Sequence, residues 1–151
     1  ITGRGPKVEE VSRVADSFRK SRKVRFHGAL PQSDYEELLG RCHVGLNCQR
    51  ASDPISGVTF PSKIFSYLSA GLVVLSSTAS NVGSICGKAC LYFEEETAES
   101  LATMMKRIIT SPEAMGKALD TSGVMERYSI AGTAKRLSQF IQTVQREGTG
   151  A

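Results

Sequence analysis

Three adjacent residues, Pro61, Ser62 and Lys63, are the part of this 151-residue chain best suited to chemistry. Proline is favoured at the first position of a helix, where its missing N–H is no loss. A helix opening there leaves the amides of Ser62, Lys63 and Ile64 without intrahelical partners. Such amides, backed by the positive end of the helix dipole, hold anions, and Lys63 adds a full charge. The matching guest is a phosphate or diphosphate. The competing reading is a proline-started helix whose lysine is only solvated. The Gly3-x-Gly5 pair is weaker, because a dinucleotide fingerprint needs a third glycine opening the helix and position 8 is Val.

The elements that must position these residues follow from periodicity and turn signals. Ile1 to Pro6 reads as the end of a strand entering a glycine turn, so the chain is expected to be a fragment. Val8, Val11, Val14, Ala15 and Phe18 recur at helical spacing. Val24 to His27 alternates as a short strand, Gly28 to Pro31 turns, and Ser33 with Glu36 forms a capping box for a helix carrying Tyr35, Leu38 and Leu39 to Gly40. Cys42 to Asn47 reads as an apolar strand. Residues 49–59 hold turn formers without periodicity, predicting a long and therefore functional loop before a helix at 61–70. Strands at 72–75 and around 90–93 are separated by a polar connection. Thr97 caps a helix with Leu101, Met104, Met105, Ile108 and Ile109 on one face, and Pro112 restarts a short helix. Ser129 caps the last one, whose face is Ala134, Leu137, Phe140, Ile141 and Val144.

Strands alternating with helices predict an α/β fold, a Rossmann-like parallel sheet flanked by helices. Ligands of such sheets sit beyond the carboxyl ends of the strands, where the turns at 3–5 and 28–31 and the loop at 48–62 are expected to converge. Residues 1–147 are expected to form one domain and 148–151 a flexible tail.

Length and a 40% hydrophobic content allow one core. The apolar runs fall far short of the roughly 20 residues of a membrane span, so the chain is expected to be soluble. Cys42, Cys48, Cys86 and Cys90 lack Cys-x-x-Cys spacing, which predicts buried free thiols and a cytoplasmic address, with Cys86 and Cys90 close enough to meet across a turn. His27 and His43 are read as core or strand-end residues, and the methionines and aromatics as packing. The net charge of +4 owes much to the run from Arg19 to Arg25. Without interleaved aromatics or any Trp this run does not read as a nucleic-acid surface; a solvated helix end or anionic lipid headgroups suit it better.

The landmarks Thr2-Gly-Arg-Gly-Pro6, Val24-Arg-Phe-His-Gly28 with Leu30-Pro31, Tyr35-Glu-Glu-Leu-Leu39, Cys42-His-Val-Gly-Leu-Asn47, Phe60-Pro-Ser-Lys-Ile-Phe-Ser-Tyr-Leu-Ser-Ala-Gly71 and Glu126-Arg-Tyr-Ser129 come in a telling order. In that order and spacing the chain resembles the C-terminal, donor-binding domain of GT-B glycosyltransferases, most closely the retaining enzymes of family four, of the group 1 type. The resemblance implies a nucleotide-diphosphate sugar as donor and a hexosyl transfer to an acceptor held by a separate N-terminal domain. It also implies polysaccharide or glycoconjugate synthesis in the cytoplasm or at the inner face of the membrane, with neither metal nor cofactor. The fragment alone would be inactive.

By the same resemblance Ser62 and Lys63 meet the diphosphate, Gly57 and Phe60 shape the loop, Gly3 and Gly5 let the backbone approach the ligand, and Leu30 offers backbone contact to the base. Arg4 is either a phosphate partner or an exposed turn residue. No catalytic residue is assigned. Negative charge growing on the leaving diphosphate would be stabilised by pre-aimed amides and lysine. Many members carry two glutamates where this chain has Val58 and Ser66, leaving Ser66 a single hydroxyl for the ribose. Asp53 offers a carboxylate nearby or ordinary turn chemistry. A degenerate GT-B domain acting as a binding module is the alternative, and a GT-B epimerase a third reading.

Overall fold

The computed structural model describes residues 1–18, 23–79, 81–117 and 119–148, which form two compact units, Ile1–Cys42 and His43–Ala151. The first unit holds helices α1 (Val8–Ser17) and α2 (Gln32–Gly40). Glu9 and Glu10 in the first turn of α1 complement its dipole, and its face toward the core is narrower than the periodicity implies, with Ala15 buried and Val14 and Phe18 exposed. Of the basic run, residues 19–22 lie outside the described residues; Lys23 and Arg25 are exposed.

Two expectations fail in this unit. Residues 24–27 bond to the N-terminus in the parallel sense: the Ile1 nitrogen donates to the Arg25 carbonyl at 2.7 Å and the His27 amide donates to the Ile1 carbonyl at 2.9 Å. No strand ladder follows, because the Gly3 amide donates instead to the carbonyl of Gly28, one residue beyond regular register. The capping box does not form either. Helix α2 begins at Gln32 behind Pro31, so Ser33 lies inside its first turn and bonds Asp34, while the Gln32 amide engages Glu36 at 2.6 Å.

The second unit is built on three parallel strands, β1 (Val44–Asn47), β2 (Val73–Ser77) and β3 (Leu91–Phe93), in that spatial order. Helices α3 (Lys63–Ser69) and α4 (Val82–Cys86) join them, the latter followed by a tight turn over Gly87–Ala89. Then come α5 (Ala98–Thr110), α6 (Pro112–Lys117), α7 (Ser122–Tyr128) and α8 (Ile130–Gly148). The polar stretch before Gly83 hides the start of α4, and α7, between Pro112 and Ser129, has no side-chain cap to mark its start. Helix α8 includes Gly148; the rest of the expected tail, 149–151, lies outside the described residues.

Neighbouring residues of a strand point to opposite faces, so a sheet covered on both sides needs a continuous apolar run. Val74 therefore joins Ile64, Leu68, Val82, Cys86, Ala89 and Cys90 on one face, while Leu75 packs with Phe93 and Ile108 on the other. Helix α3 presses hard on β1. A Cβ at Gly45 would stand 2.4 Å from the Tyr67 ring, so only glycine admits that helix so close. Thr97 caps α5 as expected, accepting from the Ser100 amide at 3.1 Å, but its inward face is only Leu101, Met104 and Ile108, and Ile109 is 73% exposed.

Ser129 accepts from the Gly132 amide at 2.9 Å and so caps α8. The apolar stripe of that helix is not a core face: Leu137, Phe140, Ile141 and Val144 are exposed. The cysteines are all free, yet only Cys86 and Cys90 are buried, Cys42 and Cys48 being exposed at element ends. The Cys86 and Cys90 thiols do meet across the turn. Their shared hydrogen bond lowers Cys86 and, with burial, raises Cys90. His27 and His43 are exposed, not core residues.

Candidate functional site

Apolar strands that end in small polar residues mark the edge of a sheet where loops must be tied down. Here β1 ends in Asn47 and β2 in Ser76 and Ser77, all buried, with Asn47 and Ser76 in register. Asn47 Nδ2 donates to Ser76 Oγ at 2.9 Å, and Ser76 Oγ donates to the Ser77 carbonyl at 2.8 Å. Ser77 Oγ reaches the Gln49 carbonyl at 2.5 Å, Gln49 Nε2 donates to Ser56 Oγ at 3.0 Å, and Ser56 Oγ donates to the Arg50 carbonyl at 2.5 Å. The Ala51 amide is held by Glu96 Oε1 at 2.5 Å. The long loop is thus stitched to the strand ends and to the start of α5. Among the described residues, Asn47 Oδ1 is the one buried side-chain polar atom without a hydrogen bond.

Within this loop Asp53 does turn chemistry. Its carboxylate accepts from the Ile55 amide at 3.3 Å and its carbonyl from the Ser56 amide at 2.9 Å. Gly57 stands in the same turn with an ordinary φ, and Val58 is 83% exposed. Pro61 is buried and Ser62 exposed. The helix starts two residues later than expected, at Lys63, because the Pro61 carbonyl takes the Ile64 amide at 3.0 Å and the Ser62 carbonyl that of Phe65 at 3.0 Å. Ile64 is therefore not a free donor. The amides of Ser62 and Lys63 have no hydrogen bond to the described residues.

Lys63 is exposed, and its ammonium acts on the Cys48 thiol at the carboxyl end of β1. Burial against the loop raises that thiol, although the residue as a whole is exposed, and the Lys63 charge opposes the rise. Lys63 is thus within electrostatic reach of the strand end. Phe60 packs on Phe65, with ring centres 4.8 Å apart, and Ser66 is half-buried one turn into α3. A cavity of about 180 Å³ opens at the same edge, with Cys48, Arg50, Ser77 and Glu96 in its wall.

In the first unit the Gly3 amide bonds the Gly28 carbonyl at 2.8 Å, which sets the glycine turn beside the turn leading to half-buried Leu30. Gly3 and Gly5 have φ of +142° and +150°, a conformation that disfavours side chains, and open space lies above both. Arg4 between them is exposed. A larger recess, about 530 Å³ with Ser12, Asp16, Arg25 and His27 in its wall, holds none of the expected site residues.

A three-stranded parallel sheet with helices on both faces and a long loop leading into a helix at its carboxyl edge is a Rossmann-like domain of the GT-B class. Residues 1–111 match the glycosyl transferases group 1, and the chain belongs to that family. Similar solved structures include HepE of Anabaena in complex with UDP (TM-score 0.72, 12% identity over 94% of this chain) and a glycosyltransferase of Rickettsia africae (0.70, 13%, 91%). HepE in complex with UDP and glucose also matches, at a TM-score of 0.69. At these identities the likeness shows the fold alone. The chain spans 40% of HepE and 36% of the Rickettsia protein. No curated protein matches it in sequence.

Proposed function

We propose that the chain binds the diphosphate of a nucleotide sugar and serves as the donor-binding part of a retaining glycosyltransferase of the hexosyl type. The observation that carries this reading is the start of α3, where two amides without a partner among the described residues and the Lys63 ammonium stand at the carboxyl edge of the sheet in a member of the glycosyl transferases group 1. Ser62 and Lys63 hold the diphosphate and take up the charge that grows on it as the glycosidic bond breaks, a task that pre-aimed donors perform without reorganising. Phe60 and Gly57 shape the loop, and Ser66 offers the ribose one hydroxyl. Gly3, Arg4, Gly5 and Leu30 serve the phosphates and base. HepE, which shares the fold, was crystallised with UDP, and this makes uracil the first base to try.

The reading assigns no part to a metal or cofactor. It places the acceptor on an additional N-terminal domain and the work in polysaccharide or glycoconjugate synthesis, in the cytoplasm or at the inner membrane surface. No helix of the described residues is long and apolar enough to cross a membrane. A second reading, a binding module that has lost donor chemistry, is favoured by Val58, which faces solvent where many family members carry a glutamate.

A thermal-shift screen with UDP, GDP and ADP and their sugar conjugates tests the first reading, since a ligand of the native state raises its melting temperature. A rise with one nucleotide and its sugars supports a donor site. A flat panel at millimolar concentration contradicts it.

A further inference from the structure

Helix α3 has only seven residues and no side-chain cap at Ser62. A helix this short is not stable on its own, because nucleation is costly and few bonds repay it. Something outside the helix must therefore hold its first turn. The two rings that bracket that turn, Phe60 and Phe65, lie 4.8 Å apart at a tilt of 31°. Phe65 in turn stacks on Tyr128, the last residue of α7, at 5.2 Å and 38°. These are the offset, tilted geometries that aromatic rings prefer.

Two guanidinium groups also stand over the Tyr128 ring, Arg136 at 5.0 Å from the ring centre and Arg127 at 5.7 Å. Both lie within the range in which a cation is drawn to a ring face. Arg136 comes from α8, and the joint between α7 and α8 is tight. A Cβ at Gly132 would stand 2.2 Å from the Glu126 carbonyl oxygen, and Ser129 caps the helix immediately beyond. The chain of contacts runs from the α7–α8 joint through three rings to the turn bearing Ser62 and Lys63.

We propose that this relay fixes the anion-binding turn, and that Tyr128 and Arg136 are positioning residues for donor binding. Neither touches the ligand; each acts through Phe65. The proposal rests on the reading of Ser62 and Lys63 as the diphosphate site, and its test has one arm that needs no ligand.

That arm is amide hydrogen exchange at Ile64 and Phe65, whose bonds to the Pro61 and Ser62 carbonyls close the turn. Tyr128→Leu should speed their exchange about tenfold, as expected of a locally loosened segment, and Tyr128→Phe should restore it. Met104→Ala, which loosens the opposite face of the sheet, should leave these two amides as they are. Should Tyr128→Leu not fold, Arg136→Gln serves in its place and should speed the same amides by a smaller factor. Unchanged exchange in the Tyr128 or Arg136 variant, or an equal rise in Met104→Ala, overturns the relay. The second arm is titration with UDP. Misplacement of a binding turn should weaken it about tenfold in Tyr128→Leu and little in Tyr128→Phe. Equal affinity in Tyr128→Leu overturns the positioning role. A wild-type chain that ignores UDP counts against the donor reading instead, and the exchange arm still decides the relay.

Discussion

Helices α3 and α8 are both amphipathic, yet their apolar faces have opposite fates. In α3, Ile64 and Leu68 are buried against Val74, and Tyr67 lies on Gly45 so closely that no side chain fits between. In α8, Leu137 and Phe140 are 59% and 66% exposed, although they sit on as regular a stripe. A stripe shows which side of a helix avoids water; what covers that side depends on partners that periodicity does not encode.

Removing core atoms should sharpen the contrast most. Ile64→Ala should cost about 3 kcal/mol, the loss expected for emptying a fully buried site, whereas Leu137→Ala should cost less than about 0.5 kcal/mol in this chain. Denaturant unfolding of the two variants checks this, and similar costs would mean that the α8 stripe is packed. Next in size is Gly132→Ala, which forces a methyl against the backbone of Glu126 and Arg127 near the start of α8. Overpacking of this kind should cost about 2 kcal/mol, visible as a lowered melting temperature.

The legible parts of the fold were those set by local chemistry. The run from Leu72 to Leu75, the Thr97 cap and the Ser129 cap are each written in a few adjacent residues. The strand at 24–27 and the Ser33 cap do not form because competing bonds decide them, the Gly3 amide bypassing regular register and Gln32 claiming Glu36. At the candidate site, the proline-led helix start is legible in Pro61-Ser62-Lys63, but the ties of the loop are not. Ser56, Ser77 and Glu96 reach the loop backbone only through tertiary structure, and of the three only Ser77 carries a signal, as a small polar residue closing an apolar strand.

Smaller effects probe those ties. Ser77→Ala removes the bond to the Gln49 carbonyl and should cost about 1 kcal/mol, with faster proteolysis of residues 49–59. The subtlest test concerns Cys48. Its thiol is raised by burial, so the fold favours the neutral form; that contribution holds below the thiol's ordinary pKa and is lost as pH rises past it. Alkylation of Cys48 should accordingly need a higher pH than a free cysteine does. Lys63→Ala, by removing the charge that favours the thiolate, should shift the profile higher still. A profile unmoved by that substitution would separate Lys63 from the strand end.

The central claim is that the start of α3 holds the donor's diphosphate, and calorimetric titration of UDP into Lys63→Ala, with Lys106→Ala as a matched change of charge on exposed α5, tests it most directly. Loss of a charge-assisted contact should weaken binding about tenfold in Lys63→Ala and leave Lys106→Ala close to wild type. Equal affinity in the two variants would contradict the assignment.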